Sequence, residues 1–161
     1  MKFIKMALLA AVAVVLGTTH PAFADKLQDI MSSGTIRIGI PADLPPFGYQ
    51  NANREAEGFD IDLAKMFAAA LGVKAEFVPL TGANRIPFLL TDKVDITVSL
   101  MGLTPARAKQ VWFTAPYAST ALAVFGPKSI NVKSASELQN YKVAAAKGNT
   151  EETALTDMNP K

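Results

Sequence analysis

The residues equipped for chemistry are few. Arg107 follows Thr104-Pro105-Ala106, which places a hydroxyl able to cap a helical turn three residues before a guanidinium. A guanidinium is a planar, permanently charged fork that holds a carboxylate through two parallel hydrogen bonds. The other reading of Arg107 is an exposed arginine on a helical turn. Asp60 and Asp62 suggest a carboxylate pair or a metal site, but residues two apart on a helix point about 200° from each other. A capping role for Asp60 and a place in the positive first turn for Asp62 account for them. No cofactor and no metal ion is expected.

Composition removes whole classes of reaction. The 161 residues include 16 Lys or Arg, 14 Asp or Glu, one histidine (His20) and no cysteine. Met1 to Ala24 has a basic start (Lys2, Lys5), an apolar run from Met6 to Gly17 and the exit Ala22-Phe23-Ala24. This is the pattern of a secretory signal cut after Ala24. Its apolar core is shorter than the ~20 residues of a membrane span, and the alternative is a retained N-terminal anchor. Removing Lys2 and Lys5 leaves 14 basic against 14 acidic groups, and His20 leaves with them. The mature chain then has no Ser-His-Asp triad, no thiol nucleophile and no usual zinc site. With no net charge and no basic run, it offers nucleic acid no surface.

The elements that must position Arg107 alternate between strand-like and helix-like runs, the pattern of an α/β sandwich with a largely parallel sheet. Lys26 to Ser32 reads as a helix closed by Gly34, and Thr35 to Ile40 as the first strand. The three prolines of Pro41 to Phe47 require an ordered loop. A second helix begins at Asp60 and ends at Gly72, with an apolar face of Ile61, Leu63, Ala64, Phe67 and Leu71. Lys74 to Pro79 is a strand, Asn84 caps a short helix, and Val94 to Val98 is a third strand. Val111 to Phe113, Ala121 to Phe125 and Lys142 to Ala146 read as further extended runs, with Trp112, Phe113 and Tyr117 in packing or hinge roles. Ser134 or Ser136 caps a turn around Glu137, and Glu151 to Met158 starts a helix. The 34 residues from Lys128 to Lys161 are fewer than the ~40 that form a core unaided.

Several runs occur together in a recognisable order. Gly58-Phe59-Asp60-Ile61-Asp62-Leu63-Ala64, Asn84-Arg85-Ile86-Pro87, Lys93-Val94-Asp95, Leu103-Thr104-Pro105-Ala106-Arg107 and Phe113-Thr114-Ala115-Pro116-Tyr117 resemble the family 3 extracellular solute-binding proteins. The resemblance extends over the chain from about Lys26. It implies an α/β, periplasmic-binding-protein-like (type II) fold with a complete first lobe and only the start of the second. Residues 25–117 are then lobe one, 118–127 the first crossing strand and hinge, and 128–161 the opening of lobe two. The implied activity is a periplasmic receptor that delivers a free amino acid, or a related small carboxylate, to the membrane permease of an ABC importer. Such a receptor is expected to be a monomer, without stable membrane insertion. As given, the chain is expected to bind amino acids weakly or not measurably.

The resemblance carries over residue by residue. Arg107 stands at the family's carboxylate-binding arginine, three residues after Thr104. Ser99 to Gly102 lies at the strip that meets the ligand backbone, although Gly102 replaces a frequent hydroxyl residue and Leu100 a small one. Pro41 to Phe47 occupies the first ligand loop. There Pro41 and Leu44 replace an aspartate and an aromatic residue, which argues against a cationic ligand; Asp43 is a substitute or a solvated turn residue. Phe47 walls the cleft or belongs to the core. Asn84 and Arg85 lie at the third loop, where Arg85 reaches an acidic ligand side chain or forms an exposed salt bridge. Gly148-Asn149-Thr150 resembles a turn whose N–H groups meet the ligand carboxylate from lobe two, with Thr150 the better match. Two rivals remain: a periplasmic cyclic-acid dehydratase on the same fold, with Asp43 its only visible acid, and the sensing module of a membrane receptor.

Overall fold

The computed structural model describes residues 26–158. The signal sequence and its cut after Ala24 lie outside these residues. Helix α1 (Lys26–Ser33) ends at Gly34, whose φ of 67° and N–H bond to the Ile30 carbonyl form the expected left-handed cap. Strand β1 (Thr35–Pro41) follows, one residue longer than expected, because Pro41 still aligns with Leu80 in the sheet. Next come three short strands, β2 (Asp43–Leu44), β3 (Gly48–Gln50) and β4 (Ala56–Glu57). They form an antiparallel sheet in the order β2-β3-β4, so the proline-rich stretch is partly strand and not wholly loop.

Helix α2 (Phe59–Leu71) and strand β5 (Lys74–Leu80) complete the first βαβ crossover. Helix α3 (Arg85–Leu90) leads to β6 (Ile96–Thr97), which is shorter than the expected third strand. The parallel sheet has the order β5-β1-β6, with Ile38 level with Phe77 on one side and Ile96 on the other. The central strand buries Ile36, Ile38 and Ile40, and α2 lays Ile61, Ala64 and Ala68 against them. Such parallel strands, covered by helices, read as near-continuous apolar runs.

Four expectations need correction. Phe67 is exposed on α2, and Ala68 takes the buried place, because the buried stripe runs through residues 60, 64 and 68. Second, the segments beyond residue 110 depart from expectation: Trp112 is fully exposed and makes no lobe-one packing. Val111 to Phe113, Ala121 to Phe125 and Lys142 to Ala146 pair with no strand among the described residues, and Phe125 is 92% exposed. A strand requires a neighbour for its ladder, and apolar content alone does not supply one. Third, Asp60 does not cap α2. The cap position is Gly58 (φ 126°), and the Pro46 and Phe47 carbonyls take the N–H groups of Phe59 and Asp60 at 3.0 and 2.8 Å. A Cβ on Gly58 would stand 2.5 Å from the Phe47 oxygen, so the glycine is required there. Fourth, Asn84 precedes α3 without a capping bond, and its Oδ1 instead accepts from the Thr81 N–H at 2.8 Å.

The last elements are α4 (Pro105–Ala108), a 3-10 turn (Ala135–Asn140) after Ser134, and α5 (Thr150–Met158). No helix among the described residues is long and apolar enough to cross a membrane.

Candidate functional site

Arg107 is aimed by its own short helix. Thr104 caps α4, its Oγ1 accepting from the Arg107 N–H at 3.3 Å, and Pro105 occupies the first turn where no N–H is needed. The guanidinium then reaches two separate parts of the chain. Nη1 donates to the Gly102 carbonyl at 2.7 Å and to Thr150 Oγ1 at 3.2 Å, while Nη2 donates to the Gly148 carbonyl at 2.9 Å. Three of the expected residues, Arg107, Gly102 and Thr150, thus meet at one point.

The two sides fit closely because glycines line the contact. A Cβ on Gly102 would lie 2.7 Å from Thr150 Oγ1, and one on Gly148 would lie 2.6 Å from the Gly82 and Ala83 backbone. Gly82 likewise faces Asn149 Oδ1 and the Lys147 carbonyl too closely to admit a side chain. The turn is closed on its own side by Glu152, whose Oε2 accepts from the Gly148 N–H at 2.6 Å.

Arg85 is buried, not the exposed ion-pair partner of the alternative reading. Its Nη1 donates to the Leu100 carbonyl at 3.0 Å, and its Nε has no hydrogen bond. Burial lowers its pKa, the nearby Arg107 charge lowers it further, and Glu151, Asp60 and Asp43 oppose the shift. Arg85 therefore feels the charges of Arg107, Glu151, Asp60 and Asp43. Leu100 is half-buried and held by Arg85, whereas Gly102 is exposed.

Leu44 and Phe47 lie in the antiparallel sheet and its turn, where the Phe47 N–H donates to the Leu44 carbonyl at 2.8 Å. Phe47 packs edge-on against Phe59 (6.4 Å, 88°), and Phe59 stacks on Tyr117 (6.1 Å, 26°). Asn84 is engaged with Thr81. Asp43 is exposed.

Sequence reasoning missed a buried polar group beside the strip. Asp60 is fully buried, and its Oδ1 accepts from the Tyr117 hydroxyl at 3.0 Å. Burial raises the Asp60 pKa, partly offset by the Tyr117 hydroxyl, the Leu100 N–H and Arg85. Burial likewise raises Tyr117, and the Asp60 charge raises it further. The signal was present: residues 60, 64 and 68 share one helical face, and two of the three are alanines. No group of metal-ligating side chains occurs among the described residues. An open cavity of about 480 Å³ lies among Leu138, Tyr141, Val143, Leu155 and Met158.

An arginine capped onto a short helix faces a glycine turn at the start of another helix. Residues 36–158 match the model of the bacterial extracellular solute-binding proteins, family 3. The chain belongs to this family. It is 34% identical over 125 residues to the ABC transporter arginine-binding protein 1 of Escherichia coli K12, covering 78% of this chain and 51% of that one. It is 31% identical over 109 residues to the cyclohexadienyl dehydratase of Pseudomonas aeruginosa, covering 68% and 41%. The crystal structure of the ancestral amino acid-binding protein AncCDT-1, a precursor of cyclohexadienyl dehydratase, superposes with a TM-score of 0.79 at 42% identity. It covers 84% of this chain and 62% of that one. The fold is therefore the type II fold of these binding proteins. This family 3 chain spans about half the length of the curated relatives it matches.

Proposed function

We propose that the chain binds a free amino acid at Arg107 and serves as the periplasmic receptor of an ABC importer. The observation carrying this reading is the convergence of Gly102, Thr150 and Gly148 on one guanidinium. All three are neutral oxygen acceptors, so a ligand carboxylate, which accepts more strongly, displaces the Gly148 carbonyl and Thr150 hydroxyl from the fork. The Gly148 and Asn149 N–H groups stay with Glu152 and the Ala146 carbonyl, and the first turn of α5 faces the same anion. Residues 25–117 form one lobe, 118–127 the hinge, and 128–161 the opening of the second lobe; closure about the hinge traps the ligand. Cleavage after Ala24 follows export, and the closed form docks on the permease. Relatives named for arginine, cystine and glutamine support an amino acid as the ligand class.

In a form that carries both lobes, Arg107→Ala should weaken amino-acid binding by roughly 2–5 kcal/mol, the loss of a paired charge contact. Titration calorimetry with a panel of free L-amino acids measures this, and an unchanged affinity removes Arg107 from the site. The dehydratase relative supports a second reading, catalysis on a cyclic acid. Asp43, the acid open to such a role, is exposed and charge-coupled to Arg85. Incubation with a cyclohexadienyl carboxylate separates the two: aromatic product formed by wild type and lost in Asp43→Asn favours the enzyme.

A further inference from the structure

We propose that Asp60 is a positioning residue: buried in the fold, it pins the strip from Ser99 to Gly102 and ties that strip to Tyr117, where the expected hinge begins. The inference deepens the reading above and rests on it for the strip's role in meeting ligand.

An aspartate on the buried face of α2, beside Ile61, Ala64 and Ala68, is costly unless its oxygens are engaged. Here Oδ1 is bonded by one of the two segments that matter and the carboxylate is neighboured by the other, while Oδ2 has no hydrogen bond among the described residues. The Tyr117 hydroxyl donates to Oδ1, and the Tyr117 ring is held in place by its stacking on Phe59. The Leu100 N–H lies against the same carboxylate, and the Ser99 N–H against the Tyr117 oxygen. On its other side the Leu100 carbonyl accepts from Arg85. Leu100 is thus clamped between two buried groups of opposite charge, one at its N–H and one at its carbonyl. Two residues further on, the Gly102 carbonyl takes the Arg107 guanidinium. A shift of the strip at Leu100 is therefore passed to the group that holds Arg107. Ser99 Oγ and Asp60 Oδ2 are both buried without a hydrogen bond among the described residues, so the backbone contacts and the tyrosine hold the strip.

The alternative is a polar cluster that stabilises the fold as a whole. Local and global effects separate the two by NMR hydrogen exchange on the full chain, without any ligand. Tyr117→Phe keeps the ring and its stacking and removes the hydroxyl that donates to Asp60 and faces the Ser99 N–H. The proposal predicts that the Ser99 and Leu100 amides exchange roughly three- to tenfold faster, the effect of losing one hydrogen bond locally. The Arg107 Nε–H signal should shift as well, while the Ile36 and Ile38 amides of β1 keep their rates. Asp60→Ala should produce the same local change, and the double variant no more than Asp60→Ala alone. Equal acceleration of every amide, or an unmoved strip with an unmoved Arg107 signal, overturns the proposal. If Asp60→Ala fails to fold, Tyr117→Phe decides alone. A chain that binds no amino acid but shows the local change refutes the receptor reading and leaves Asp60 in its role.

Discussion

At the scale of single residues, the decisive groups are charges taken out of water. Asp60 shows the cost. Burial raises its pKa, so the native state holds a proton more readily than the unfolded chain does. The associated stability is fully present below the ordinary value of 3.8 and is lost as pH rises through the raised native value. At neutral pH the charged carboxylate therefore costs stability. Asp60→Asn, which mimics the protonated form, should raise the melting temperature at pH 7 and change it little below about pH 3.8; a drop at pH 7 larger than at acid pH contradicts this. Asp95 behaves in the opposite way. Burial alone would raise it, but hydrogen bonds from the Arg37 side chain and backbone and from Lys26 outweigh that and hold it below the ordinary range. Its contribution is present above pH 3.8 and lost as pH falls through the lowered native value. Asp95→Ala should cost about 1.5–3 kcal/mol at neutral pH by denaturant titration, as loss of a hydrogen-bonded charge.

At the scale of elements, the sequence displayed local rules and concealed long-range ones. Gly34 and Gly72 end their helices in the left-handed conformation, and Thr104 caps α4, because each of these depends on neighbours a few residues away. The three isoleucines of β1 likewise read directly as a covered parallel strand. Asp60 was misread because its usual capping role is taken by loop carbonyls brought from Pro46 and Phe47. Arg85 was misread because a guanidinium's burial depends on the Leu100 carbonyl, fifteen residues away. The site was legible as Thr104 and Arg107, less so as Gly102, whose lack of a side chain looked like a lost ligand group. In the structure that lack admits Thr150. Gly102→Ala should therefore push the turn at 148–150 away from Arg107, and the amides of Thr150 to Thr153 should lose exchange protection. Protection equal to wild type would show that the turn does not seat against residue 102.

At the scale of the whole molecule, function depends on where the chain works and how its parts close. An exported receptor begins at its cleavage site, so protein purified from the periplasm should start at Asp25 by N-terminal sequencing; a start at Met1 contradicts export by cleavage. The parallel sheet fixes Arg107 and its strip, while the glycine turn before α5 provides the opposing surface. Binding strength depends on how fully both surfaces enclose the ligand. The most direct test is an NMR titration of the chain with free L-amino acids to millimolar concentration, which registers weak as well as tight binding. The account predicts saturable shifts centred on the Gly102, Arg107, Gly148 and Thr150 amides for at least one amino acid, abolished in Arg107→Ala. Shifts that persist in Arg107→Ala, or none at these four positions with any amino acid, would contradict it.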